Sequence, residues 1–187
     1  MQRFVSLDYA KSNAHPGWLV QYRGRGLFSP WVRLCTGGVH THSAMMTNFN
    51  EISEVREFVG GRITDLDFQV KRFNGQMDFY SVSRFYYDPV GMENTITYMR
   101  QMAESCSYDW FNIFLLAARR VPICHLLFHD RPIDDTADFN RLRRHCSDAV
   151  ALAYQMGLAD PVPRCPNRLV TPHDLTKSMM FVYEFSL

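Results

Sequence analysis

The chain has 187 residues, with 20 basic and 19 acidic side chains and a net charge of +1. A balance this close provides no overall field for nucleic acid or an anionic membrane surface, and no apolar run reaches membrane-spanning length. Five cysteines, odd in number and without a C-x-x-C pair, argue against a disulfide framework or a structural zinc site.

The length suits one domain with a substantial core, and fourteen Phe with nine Tyr make that core aromatic-rich. Met1 to Asp8 lacks the apolar run of a signal peptide. The expectation is a soluble chain, cytoplasmic at synthesis.

Arg3 to Leu7 reads as a short edge strand and Trp18 to Tyr22 as an apolar strand between glycines. Ser29-Pro30 has the form of a helix start, with a capping hydroxyl and a proline first inside. Val39 to Met46 reads as a strand whose two-residue period places His40 and His42 on one face. Asn48-Phe49-Asn50 turns the chain, Ile52 to Val59 returns as a hairpin partner, and Gly60-Gly61 makes a further turn. Asp65 to Val70 suggests a brief helix and Met77 to Val82 a strand.

The middle is helical in character. Asp88-Pro89 opens a helix running to about Glu104, and Tyr108 to Arg119 is a second, apolar nearly all round. A helix with Cys146 at its first turn follows; Ala149, Val150 and Ala153 share the cysteine's stripe, and Gly157 stands where a left-handed residue commonly ends a helix. Thr171-Pro172-His173-Asp174 is a capping-box start, and Met179 to Phe185 ends the chain as a strand. The simplest account is a single α+β domain over 1–187 with a helical insertion at about 88–138.

A thiol at a helix start feels the partial positive charge and free N–H groups there, which favour the nucleophilic thiolate. Such a cysteine needs a base, and the base needs a group to orient it. His145 is a poor base for Cys146 because neighbouring helical side chains diverge; His40 and His42, held by a strand, are better placed. On the returning strand Glu54 and Glu57 differ by an odd number and face opposite ways, so only one can orient a given histidine. The bland readings are a buried structural thiol, polar strand histidines and a solvated face for Glu51, Glu54 and Glu57.

His125 and His129 sit four apart but lack the acidic partner of a helical metal motif, so no metal and no cofactor are expected. Arg141, Arg143 and Arg144 form a solvated approach to the cysteine helix, or a cationic neighbourhood for a thiolate or an anionic substrate group. Cys35, Cys106, Cys124 and Cys165 read as structural.

The order of these pieces resembles the circularly permuted papain-like hydrolases of the NlpC superfamily, in particular the YaeF/YiiX-like branch related to the lecithin retinol acyltransferase group. The resemblance is carried by Gly17-Trp18-Leu19-Val20, Arg33-Leu34-Cys35-Thr36-Gly37 and Thr41-His42-Ser43-Ala44-Met45. It continues through Glu57-Phe58-Val59-Gly60-Gly61, Cys146-Ser147-Asp148 and Thr171-Pro172-His173-Asp174-Leu175. It spans roughly residues 17–66 and 139–180. Trp18 stands where the family usually has Asp, Phe58 where a small residue follows the acid, and Asp148 where Glu is usual.

The resemblance implies a permuted papain-like fold, an antiparallel sheet packed against the nucleophile helix, with Cys146 as nucleophile, His42 as base and Glu57 orienting it. It implies a cysteine hydrolase cleaving amide bonds, peptidoglycan peptides among them, through an acyl-enzyme. The alternatives are a lipid or acyl thioesterase or acyltransferase, and a non-catalytic part of a virus particle or secretion assembly. A cell-wall peptide as partner would require export by a route other than a signal peptide.

Overall fold

Leu19 and Val20 adjoin in sequence and are both fully buried, yet they belong to different cores. The same division separates Met45 from Ala44 and Tyr80 from Phe79. Alternation along a pleated strand sends successive side chains to opposite faces, so a sheet covered on both sides needs apolar residues at every position. The computed structural model, which describes residues 2–26, 29–111, 113, 143–163 and 165–187, has such a sheet.

Its six strands are β1 (Leu19–Gly24), β2 (His42–Asn48), β3 (Glu51–Arg56), β4 (Gly60–Asp65), β5 (Gly75–Val82) and β8 (Phe181–Ser186). They lie in the order β4-β3-β2-β1-β5-β8, every neighbouring pair antiparallel. On one face pack α4 (Pro89–Ser105) and α5 (Cys146–Gly157), which close a core around Leu19, Met45, Val55, Met99 and Val150. On the other, α1 (Leu7–Asn13) and α3 (Leu66–Arg72) cover Val20, Ala44, Met46, Ile52 and Phe79. The short helices α2 (Ser29–Thr36) and α6 (Pro172–Lys177) complete the mixed α+β architecture.

Several expectations hold in detail. The Asp88 carboxylate accepts the Gly91 N–H at 2.6 Å to open α4, with Pro89 at its first position. Thr171 and Asp174 form the reciprocal capping box that opens α6.

Others change. The predicted strand over Arg3–Leu7 is reduced to one bridge, from Phe4 to Ser186, because the Ser6 hydroxyl accepts the Tyr9 N–H and starts α1 instead. The Gly60-Gly61 pair opens β4 rather than making only a turn. A Cβ on Gly61 would stand 2.5 Å from the Ala103 carbonyl oxygen, so this glycine lets α4 approach the strand. Tyr108 lies in a two-residue strand, β6 (Ser107–Tyr108), paired in parallel with β7 (Arg143–Arg144), rather than opening a helix. Trp110, Phe111 and Ile113 are helical, as expected; the rest of that predicted helix, at 114–119, and of the insertion, to 138, lies outside the described residues. Among the described residues no helix is long and apolar enough to cross a membrane.

Gly157 also departs from its predicted role. It is the last residue of α5, is absent from the positive-φ glycines, and Leu158 follows it as the C-cap. A Cβ there would meet Thr95 Oγ1 at 2.1 Å and the Gly91 carbonyl oxygen at 2.3 Å, so the glycine serves the close approach of α4 and α5. Gly157→Ala is therefore expected to destabilise by about 1–3 kcal/mol, the usual range for forcing atoms into a packed contact, despite alanine's better helix propensity. Urea unfolding checks this; a variant as stable as the parent would remove the packing explanation.

Candidate active site

Cys146 is the first residue of α5 and is 3% exposed. Two hydrogen bonds to one carbonyl fix this end of the helix. The Ser147 hydroxyl donates to the Val170 oxygen at 2.7 Å, and the His145 ring N–H donates to it at 3.1 Å. The N-cap residue His145 makes no capping bond with its own side chain, and N–H groups in a first helical turn, which have no intrahelical acceptor, suit an oxyanion beside the sulfur.

Arg144 and Asp148 form a fully buried pair at 2.9 Å immediately behind the cysteine. Arg144 is thus a structural clamp on the first turn rather than part of a solvated approach. Arg143 is exposed, and Arg141 lies outside the described residues.

His42 opens β2. Met46 pairs with Ile52 across the hairpin, and alternation carries His42, Ala44 and Glu54 onto the same face. His42 Nε2 donates to Glu54 Oε2 at 2.6 Å, and both side chains are buried. The other carboxylate oxygen of Glu54 accepts from Arg62 Nε at 2.5 Å and from Gln69 Nε2 at 2.6 Å, with Arg56 3.7 Å away. This carboxylate is fully desolvated but fully paired, as a buried charge requires.

Burial works to raise the Glu54 pKa. The charge and hydrogen bond of His42, followed by the charges of Arg62 and Arg56, overcome it and hold the carboxyl well below its ordinary value.

The expected orienting carboxylate, Glu57, is placed differently. β3 ends at Arg56, and Glu57 enters a turn in which Phe58 takes a left-handed φ of 65°. Its Oε2 lies 3.8 Å from His42 Nδ1, and its side chain is 39% exposed. Glu54 holds the far nitrogen of the imidazole, whereas Glu57 stands at the edge of the cavity on the near side.

With Nε2 donating to Glu54, a neutral His42 presents its lone pair at Nδ1. Nδ1 is buried and bonds to no nitrogen or oxygen among the described residues; besides Glu54, the ring's side-chain hydrogen-bonding partner is Cys146. Burial alone would lower the His42 pKa; against it the charges of Cys146 and then of Glu54 raise it from 6.5 to about 10. The sulfur and the imidazole are thus electrostatic neighbours, brought together from α5 and β2.

His40 takes no part in this group. Its Nε2 donates to Asp78 at 2.7 Å, in a separate buried cluster where Asp78 also accepts from Arg23, Gln76 and Ser186. Cys106 and Cys165 are free thiols, the first buried. The side chain of Cys35, and Cys124, His125 and His129 altogether, lie outside the described residues.

Cys146 opens onto a cavity of about 550 Å³ whose walls include Trp31, Val32, Phe58, Trp110, Ile113 and Pro172. Tyr108 also lines it; burial first, then the charges of Cys146 and Glu57, push its phenol well above the ordinary value. Sequence reasoning missed Tyr108 because its neighbourhood reads as an apolar helix.

No protein-family model matches the chain, and no curated protein does. Among solved structures, the crystal structure of the metalloprotein yiiX from Escherichia coli O157:H7 is similar at a TM-score of 0.59 and 12% identity, over 91% of this chain and 96% of that one. This chain has a yiiX-like fold. Identity this low speaks to the fold alone.

Among the described residues no three or more His, Cys, Asp or Glu side chains gather as a metal ion would require. The yiiX-like sheet does place the start of β2 beside the start of α5, the juxtaposition on which the site depends.

Proposed function

We propose that the chain is a cysteine hydrolase of the circularly permuted papain-like kind, with Cys146 as nucleophile, His42 as its acid–base partner and Glu54 orienting the imidazole. The observation carrying this reading is the buried His42 ring, its Nε2 bonded to Glu54 at 2.6 Å and Cys146 the strongest of the charges raising its pKa. A protonated His42 beside the sulfur supports the thiolate, the attacking species.

In the first step the thiolate adds to an amide or ester carbonyl, and the resulting oxyanion lies against the free N–H groups at the start of α5, a contribution of about 3 kcal/mol in comparable sites. His42 gives its proton to the departing amine or alcohol as the bond breaks, leaving a thioester on Cys146. Water then attacks that thioester, His42 takes up its proton, and the acid departs with the thiolate restored. Glu54 keeps the imidazole in one tautomer and stabilises its charged form.

The substrate class separates two readings. A peptidoglycan peptide would place polar groups beside the sulfur. The Trp31, Phe58, Trp110 and Ile113 walls favour an apolar acyl group, and with it the thioesterase or acyltransferase reading.

The test is the pH dependence of iodoacetamide alkylation at each cysteine, read by mass spectrometry. Cys146 is expected to react at least about tenfold faster than the other four near pH 6, where an ordinary thiol is almost wholly protonated. Cys106, whose pKa burial pushes up, serves as the slow reference. His42→Ala should erase the difference. If Cys146 reacts no faster than Cys106, or is indifferent to His42→Ala, the pair is not an active dyad.

A further inference from the structure

A second cavity, of about 190 Å³, is lined by His42 and shares Val32, Thr41, Arg56 and Glu57 with the apolar one. Its character is different. Ser29, Asn74 and Arg72 contribute to its walls, as does Tyr22, which is fully buried and whose hydroxyl has no hydrogen-bond partner among the described residues.

Three of its lining groups are basic, His42, Arg56 and Arg72, against one carboxylate, Glu57. Arg72 lies over the Phe68 ring at 5.2 Å, a stacking that leaves the guanidinium edges for an acceptor. Arg56 lines both cavities, the one that holds Cys146 and the one that holds His42, and lies 3.7 Å from the Glu54 carboxylate. Together the two cavities make a two-lobed cleft with the candidate thiol–imidazole pair at its waist.

We infer that the substrate is an amphiphile: an apolar acyl group fills the larger lobe, its carbonyl meets Cys146, and the leaving group carries a carboxylate or phosphate held by Arg56 and Arg72 in the smaller lobe. The inference rests on the acyl-transfer reading and adds the chemistry of the leaving group. The bond broken joins the acyl carbon to an amine nitrogen or alcohol oxygen; that atom takes the His42 proton, and the anionic amine or alcohol leaves through the polar lobe. Planar guanidinium groups suit a carboxylate or phosphate because they meet two oxygens at once. The Tyr22 hydroxyl, in the wall of the same cavity and without a partner among the described residues, is a third donor.

Binding by calorimetry to Cys146→Ala protein, which cannot form the thioester, tests the subsite apart from catalysis. N-decanoylglycine or N-decanoyl-phosphoethanolamine is expected to bind at least about tenfold more tightly than neutral N-decanoylethanolamine, as charge-assisted hydrogen bonds would give. The preferred anion identifies the source of the charge. Arg72→Gln in the same background should shrink the difference severalfold. Equal binding of the three, no binding, or a preference untouched by both Arg72→Gln and Arg56→Gln overturns the inference. Failure of the hydrolase reading looks different: the parent protein would bind the anionic ligand with the same preference and leave it uncleaved.

Discussion

Cys146→Ala is expected to reduce hydrolysis of a simple ester probe such as p-nitrophenyl decanoate by about 10⁴-fold or more, to near the rate without protein. His42→Ala should do nearly the same, and the double variant should be no worse than either alone, because a nucleophile and its proton partner act as one unit. That non-additivity distinguishes a working pair from two residues that merely border a cavity. Cys146→Ala removes little of the core, and after His42→Ala the Glu54 carboxylate keeps its bonds to Arg62 and Gln69, so circular dichroism should report native folding for both, with His42→Ala the less stable. A Cys146→Ala protein retaining more than a tenth of the parent rate would refute the mechanism.

The second large effect falls on stability. Glu54→Gln removes the buried charge that balances His42 and Arg62 and should cost about 3–5 kcal/mol, as breaking a buried ion pair from one side does. Glu57→Gln, at a site 39% exposed, should cost under about 1 kcal/mol.

The pH dependence follows from the direction of the shift. Burial opposes ionisation of Glu54, but the charge of His42 wins, so its carboxyl titrates below its ordinary 4.5. It therefore contributes stability that is present above pH 4.5 and is lost as the pH falls toward about 2. The Gln variant should lack that part of the acid limb. His42, raised from 6.5 to about 10, contributes stability that is complete below 6.5 and lost as the pH rises through about 10. Urea unfolding at pH 3, 7 and 10 resolves both limbs; a Glu54→Gln protein matching Glu57→Gln at pH 7 would argue against the buried network.

These expectations also mark what could be read from the residues alone. The α+β class, the strand bearing His42, its hairpin partner and the helix opening at Cys146 followed from alternation, turn chemistry and capping. The choice between Glu54 and Glu57 was within reach. With the chain turning at Phe49-Asn50, pairing Met46 with Ile52 puts Glu54 on the His42 face within the strand. Motif matching favoured Glu57 because it precedes the Gly-Gly pair, but the strand has ended by then. Arg62 and Gln69 came from β4 and α3, and β4 was hidden because its opening glycines resemble a turn. The role of Gly157 was equally hidden: only the positions of Gly91 and Thr95 show why a side chain is excluded there.

Gly61 and Gly157 bear on more than local packing. His42 and Glu54 belong to adjacent strands of one hairpin and shift as a single body, whereas the sulfur rides on α5. The cysteine helix packs on the sheet directly, and α4 packs against both, seated at Ala103 against Gly61 of the sheet and at Gly91 and Thr95 against Gly157 of α5. Helix α4 thus works as a shim gauged at both faces by the absence of a Cβ. That seating, together with the bonds of His145 and Ser147 to the Val170 carbonyl, fixes how the cysteine helix lies against the sheet.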